Sequence, residues 1–306
     1  MDMEFLNLLT NIRMPILTWI NLALTVLGES AVFIAAFCLI YWCIDKHFAY
    51  RLGIIYVISG LIVQTSKILF RIPRPWLKDS SFRIVEQARN TATGYSFPSG
   101  HTQNVTALFS SLALKSKKKL LKILCFAVIF LVMFSRMYLG VHTPTDVLVS
   151  FAITLVISLI INYYAENYSV DSSHKSLMWG LLFILPVLST GICIYVYFGV
   201  PDVIKENLND VLMSSGAAFG FLTGYLIERK HIRFNEHAAT PVFQAIKYII
   251  GIASVIGLNY LTELITDTFF TGFMPAYFIA KMLLMLYITA VYPLIIKKLF
   301  TDDIYL

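Results

Sequence analysis

Eight residues in three short stretches carry the groups with which a protein could grip and attack an anion. Lys67 stands seven positions before Arg74-Pro75, close to two helical turns, although Pro73 and Pro75 end a helix before Arg74 is reached. Pro98-Ser99-Gly100-His101 puts a hydroxyl and a glycine ahead of an apolar helix. Ser99 reads as an N-cap, and the free amides behind it, that of Gly100 included, can hold phosphate oxygens. In the third stretch Ser135-Arg136 is followed by His142-Thr143-Pro144-Thr145-Asp146, where Thr143, Pro144 and Asp146 fit N-cap, first helical position and capping-box acid. Capping alone explains Asp146 but not an arginine and a histidine beside the same turn. A lysine, two arginines and two histidines at one place need a negative charge between them, and phosphate is the natural candidate.

The elements that must bring these stretches together are membrane helices. The chain is 58% hydrophobic and only 14% charged over 306 residues, too apolar for an ordinary water-facing surface. Nine apolar runs read as spans, at about 29–45, 49–70, 99–114, 120–138, 143–163, 177–199, 209–227, 242–262 and 276–297, the first and third of them short. Runs this long and uniform exclude barrel strands, so the expected fold is all-α, a polytopic transmembrane helical bundle. Arg13 and Pro15 interrupt the N-terminal stretch, which reads as an interfacial helix followed by a bend. Asp2 and Glu4 do not make a basic leader, so the first hydrophobic helix reads as an uncleaved anchor. The expected organisation is an N-terminal interfacial segment over 1–28, a catalytic core over 29–165, and further transmembrane helices over 166–306 completing one bundle.

Cys38, Cys43, Cys125 and Cys193 lie in apolar segments without a CxxC pair and read as core thiols, and no metal site or cofactor is expected. The net charge of +6 is scattered over loops, where it sets orientation, and no nucleic-acid partner is expected. The cluster Lys115, Lys117, Lys118, Lys119 and Lys122 marks the cytoplasmic side. Counting outward puts all three chemical stretches on the opposite face. The segment from Arg71 to Phe97 breaks the charge rule there, with Arg71, Arg74, Lys78, Arg83 and Arg89 against Asp79 and Glu86. Either a negative ligand visits that face or the loop is salt-bridged. Gly216, Gly220 and Gly224 share one helix face and are expected to allow close packing; Lys281 either snorkels or lines a pocket.

Lys67-x6-Arg74-Pro75, Pro98-Ser99-Gly100-His101 and Ser135-Arg136-x5-His142-x3-Asp146 resemble the three-part signature of the type 2 phosphatidic acid phosphatase superfamily, in order and spacing, over residues 60–165. That superfamily also holds vanadium haloperoxidases, bacterial acid phosphatases and glucose-6-phosphatase. The resemblance implies a metal-independent phosphatase in which His142 attacks phosphorus and Asp146 orients its ring. It further implies that His101 protonates the leaving alcohol, while Lys67, Arg74, Arg136, Ser99 and the Gly100 amide hold the phosphoryl oxygens.

The resulting expectation is an integral membrane enzyme of a bacterial cytoplasmic membrane, its site facing outside, acting on a lipid phosphate monoester or diphosphate among membrane lipids. The weaker resemblance of the nine-span layout to glucose-6-phosphatase and sphingosine-phosphate phosphatases keeps a soluble phosphate open as substrate. A multi-span transporter is the rival of another class, although the charged residues gather near one face rather than at the midplane.

Overall fold

The structure is a computed structural model and describes residues 2–167, 172–238, 240–270 and 272–299. Among the described residues every regular element is helical. In chain order these are α1 (Asp2–Asn11), α2 (Pro15–Val26), α3 (Ser30–Leu39), α4 (Lys46–Phe70), the short α5 (Pro75–Lys78), α6 (Gly100–Lys115) and α7 (Lys119–Tyr138). They continue with α8 (Pro144–Asn167), α9 (Ser172–Gly199), α10 (Lys205–Ile227), α11 (Pro241–Phe269), α12 (Met274–Leu286) and α13 (Tyr292–Leu299). Wider turns of π geometry extend α3 over Ile40–Ile44, α10 over Glu228–Ile232 and α12 over Tyr287–Val291.

The protein is integral to the membrane, and the count of nine spans is not confirmed. Among the described residues seven helical stretches are long and apolar enough to cross, and eight if a bent pair counts as one span. The two runs noted as short are those that do not pass by themselves. Residues 29–45 belong to a helix pair, Pro15–Val26 and Ser30–Ile44, bent by 49° at the turn between them. Helix α6 has 16 residues, about 24 Å at 1.5 Å per residue, less than the roughly 30 Å of hydrocarbon. It is enclosed by protein: nine of its residues are buried, Thr102, Gln103, Thr106, Ser110 and Ser111 among them.

The chain forms two compact units. The first comprises Met1–Phe33, Ile58–Ser169 and Ile192–Leu208. Its centre is α6, packed against α7 and α8, with α2 also on α7. Small hydroxyl side chains let α6 and α8 approach closely while bonding across the interface. Ser110 and Ser158 are 2.8 Å apart, and Ser150 Oγ donates to the Ser99 carbonyl at 2.7 Å. The N-terminal stretch breaks where the sequence placed the disruption. Between α1 and α2, Arg13 donates from Nε to the Tyr138 carbonyl at 3.0 Å and from a terminal nitrogen to the Arg83 carbonyl at 2.6 Å. Leu6 and Leu9 of α1 pack against Phe82.

The second unit comprises Ile34–Val57, Val170–Gly191 and Asn209–Leu306. Its α10 carries the glycine stripe, and the close approach expected of it is present. A Cβ on Gly216 would lie 2.0 Å from the Phe278 carbonyl oxygen, one on Gly220 2.2 Å from that of Met282, and one on Gly224 1.9 Å from Thr289 Oγ1. Lys281 bridges two helices, its Nζ 2.7 Å from Asn259 Oδ1 and 2.9 Å from Glu263 Oε1. At another end of the unit Lys46 joins the buried Glu228 at 3.3 Å and Glu236 at 3.9 Å. The four cysteines are free thiols.

Replacing Gly220 with Leu is expected to destabilise the detergent-solubilised protein by about 1–3 kcal/mol, because α10 and α12 must part. Gly191→Ala, where nothing lies within 4 Å, is expected to be neutral or stabilising in the same unfolding measurement.

Candidate active site

All eight residues singled out from the sequence fall within the first unit. The turn from α7 into α8 supplies His142 and Asp146. Thr143 Oγ1 accepts from the Asp146 amide at 3.3 Å, and Asp146 Oδ2 accepts from the Thr143 amide at 2.8 Å, a reciprocal capping box. The same Asp146 oxygen takes the Ser96 hydroxyl and lies 3.4 Å from His142 Nδ1. Proline at the first helical turn position fixes the entry of α8, and Gly140, at φ +81°, makes the reversal that precedes it.

Arg74 lies across His142. One terminal nitrogen of its guanidinium is 2.9 Å from His142 Nε2 and donates to the Val141 carbonyl at 3.0 Å; the other donates to the Thr93 carbonyl at 2.7 Å, and Nε to that of Gly94 at 3.1 Å. The Arg74 nitrogen that approaches Nε2 is 3.5 Å from Nδ1, which faces Asp146; the tautomer that suits both neighbours carries the ring proton on Nδ1 and leaves Nε2 as acceptor. Burial and the Arg74 charge together hold the His142 imidazole well below its ordinary pKa, opposed by Asp146.

The carbonyls that hold Arg74 are themselves pinned. Asn207, at the start of α10 and fully buried, accepts from the Tyr95 amide at 2.7 Å. Gly94 has φ +62°, and a Cβ there would stand 2.2 Å from Asn207 Oδ1. The loop can therefore close on Asn207 only with glycine at that position.

Ser99 caps α6, its Oγ accepting from the Thr102 amide, and its own amide donates to the Asp146 carbonyl at 3.1 Å. As first-turn amides those of Gly100 and His101 have no acceptor within the helix. Lys67, near the end of α4 and 6% exposed, places Nζ 3.9 Å from where a Cβ on Gly100 would be. His101 is within electrostatic reach of Arg136, His142, Lys67 and Arg74, and its Nε2 is buried without a hydrogen-bond partner.

Arg136, fully buried on the last turn of α7, donates to Thr25 Oγ1 at 2.7 Å and to Thr91 Oγ1 and the Thr91 carbonyl at 3.3 Å each; its Nε has no partner. The structure thus gathers the three stretches at one end of α6, with the lysine-rich segment from Lys115 at the other. Thr25, Thr91, Ser96 and Asn207 were not singled out from the sequence. Ser96 had a local signal, three positions ahead of Ser99; the other contacts join segments too distant in sequence to leave a spacing pattern.

Two outcomes follow from this geometry. Asn207→Leu strands the Tyr95 amide and is expected to cost about 1–3 kcal/mol in an unfolding titration. His142 protonates more readily in the unfolded chain than in the fold, so the unfolded state takes up protons first as pH falls. Stability of the ligand-free protein is therefore expected to decline below roughly pH 6.5, with a shallower slope in His142→Gln when thermal midpoints are compared across pH.

Comparison with known proteins places these residues in context. The PAP2 superfamily matches residues 48–171, and the PAP2 superfamily phosphatase, transmembrane extension, matches residues 212–303. Human sphingosine-1-phosphate phosphatase 2 is 33% identical over 128 residues, which is 40% of this chain and 31% of that protein. Its mouse counterpart is 30% identical over 128 residues, 40% of this chain and 35% of its own. Phosphatidylglycerophosphatase B of Bacillus subtilis (strain 168) is 28% identical over 150 residues, 46% of this chain and 71% of its own. The crystal structure of a transmembrane PAP2 type phosphatidylglycerolphosphate phosphatase from Bacillus subtilis aligns over 56% of this chain and 87% of that one, at 24% identity and a TM-score of 0.46. The chain spans about a third of the length of the human and mouse relatives. The two matched segments take in more than half of the chain and include every residue of the site described above from Lys67 to Asp146, and the chain belongs to the PAP2 superfamily.

Proposed function

We propose that this protein is a phosphoric ester hydrolase that cleaves a lipid phosphate monoester or diphosphate through a phosphohistidine intermediate, without a metal. The observation that carries the reading is the His142 ring, with Nδ1 toward Asp146 and an unprotonated Nε2 under the Arg74 guanidinium. That is an oriented nucleophile beside a cation that suits a phosphoryl group.

In the proposed reaction Nε2 of His142 attacks phosphorus in line with the leaving oxygen. The new N–P bond forms as the P–O bond breaks, and the leaving oxygen takes its electron pair together with a proton from His101. The charge that develops on the His142 ring is balanced by Asp146. Water, giving a proton to His101, then attacks phosphorus; the N–P bond breaks, its electron pair returns to Nε2, and phosphate is released. To join this sequence Arg74 gives up its contact with the His142 ring and its guanidinium, which moves as one rigid plane, presents an N–H to a phosphoryl oxygen. Lys67, Arg136 and the first amides of α6 hold the remaining oxygens.

A lipid substrate is supported by the membrane setting and by the relatives whose names specify sphingosine-1-phosphate and phosphatidylglycerophosphate. The site is proposed to face outside across a bacterial cytoplasmic membrane. In support, α6 begins at the site and ends at the lysine-rich segment that favours the cytoplasm, and the short connections suit a compact bacterial protein.

The decisive measurement is phosphate release by detergent-purified protein, chelator present, over long-chain and short water-soluble phosphates. Release that survives chelator, favours long chains and falls on the order of a thousandfold or more in His142→Ala is expected. Equal rates on short and long substrates would move the assignment to a soluble phosphate, as in glucose-6-phosphatase. Release unaltered in the mutant would sink the histidine mechanism.

A further inference from the structure

We propose that the turn joining α2 to α3 is a working part of the site, with Thr25 the positioning residue for Arg136 and Gly28 for His101. The inference rests on the phosphatase reading above. It extends that reading to residues upstream of the matched segment 48–171, to which the family pattern assigns nothing.

Thr25 is 4% exposed and makes the shortest of the three hydrogen bonds described for the Arg136 guanidinium, at 2.7 Å against 3.3 Å for the other two. Val141 and His142 both send their amides to the Arg136 carbonyl, at 3.1 and 3.3 Å. The backbone of Arg136 is thus tied to the nucleophile's turn, and its side chain is aimed by Thr25. The nitrogen left without a partner is Nε.

Three residues on, the chain touches the other reacting group. A Cβ on Gly28 would lie 2.9 Å from His101 Cβ, 3.1 Å from the His101 carbonyl oxygen and 3.1 Å from Val132 Cγ1. The turn therefore seats directly on the backbone of His101, and only a glycine allows that approach. Asn104 of α6 holds it there, donating from Nδ2 to the Gly28 carbonyl at 2.9 Å. The Gly28 amide in turn donates to the Thr25 carbonyl at 3.0 Å, so the two positions move as one piece. His101 Nε2 is buried without a hydrogen-bond partner. One tight turn thus fixes both a phosphoryl-binding cation and the proton donor, by a hydrogen bond to the first and by backbone contact to the second.

The two roles separate by leaving group. Arg136 meets the phosphoryl oxygens, which every substrate shares, whereas His101 matters most when the departing oxygen needs a proton. The test compares the full-length detergent-purified protein on a long-chain alkyl phosphate and on p-nitrophenyl phosphate, whose phenolate departs unprotonated. Thr25→Val keeps the shape and removes the hydroxyl. It is expected to lower kcat/KM on the order of tenfold on both esters and to weaken vanadate inhibition by a similar factor. Thr25→Ser is expected to restore both. Gly28→Ala, and Asn104→Leu, which releases the turn from the other side without adding bulk at Gly28, are expected to slow the alkyl ester on the order of tenfold more than the aryl ester.

Losses that follow folded protein alone, with vanadate inhibition unchanged in Thr25→Val, would overturn the Thr25 role. Equal losses on the two esters in both Gly28→Ala and Asn104→Leu would overturn the Gly28 role. Wild-type protein that cleaves neither ester overturns the phosphatase reading and the proposal with it. Active wild type with variants indistinguishable from it overturns the proposal alone.

Discussion

A carboxylate removed from water needs donors or it disrupts the fold, and Asp146 at the head of α8 draws them from three directions. Its Oδ2 faces the Thr143 amide, the Ser96 hydroxyl and His142 Nδ1. The first contact starts the helix, the second fastens the loop ahead of α6, and the third sets the tautomer of the ring whose other nitrogen lies under Arg74. The Asp146 carbonyl also receives the Ser99 amide, so α6 and α8 begin from one point. The order of the site therefore depends on one side chain that capping alone would have accounted for.

The cations are held in a complementary way. The hydrogen bonds described for Arg74 go to the carbonyls of Thr93, Gly94 and Val141 and to a neutral imidazole, and those of Arg136 to Thr25 and Thr91. Carbonyl and hydroxyl oxygens orient these guanidiniums, and Glu29 is within electrostatic reach of Arg136. Supplying such oxygens takes loops that expose their carbonyls inward. Gly94 and Gly140, both at positive φ, mark where the backbone turns to do it.

Lipid tails are as apolar as leucine, so helices in a membrane adhere through close packing and a few polar contacts rather than by burying oil. The two units solve this separately. In the first, α6 and α8 meet through serine hydroxyls; in the second, α10 meets its neighbours through Gly216, Gly220 and Gly224, and Lys281 ties Asn259 and Glu263 together. Small residues at fixed spacing were visible in the sequence for α10, whereas the partners they touch were not.

The sequence by itself determined the solvent, the class of fold and the three stretches that meet. Hydropathy reads out directly because a spanning backbone must satisfy its own hydrogen bonds, and seven of the nine runs named from it are long enough helices in the structure. The capping pattern Thr143-Pro144-Thr145-Asp146 was equally legible, since a cap is a bond between neighbours in sequence. Nine spans are not confirmed, because apolar content does not reveal the bend between Val26 and Ser30 or that α6, with its buried serines and threonines, is enclosed by protein. Only the tertiary structure decided which side chains hold the arginines. Thr25 lies 111 positions from Arg136 and Asn207 lies 112 from Tyr95, and a contact across that separation has no periodicity or local spacing through which a single sequence could announce it.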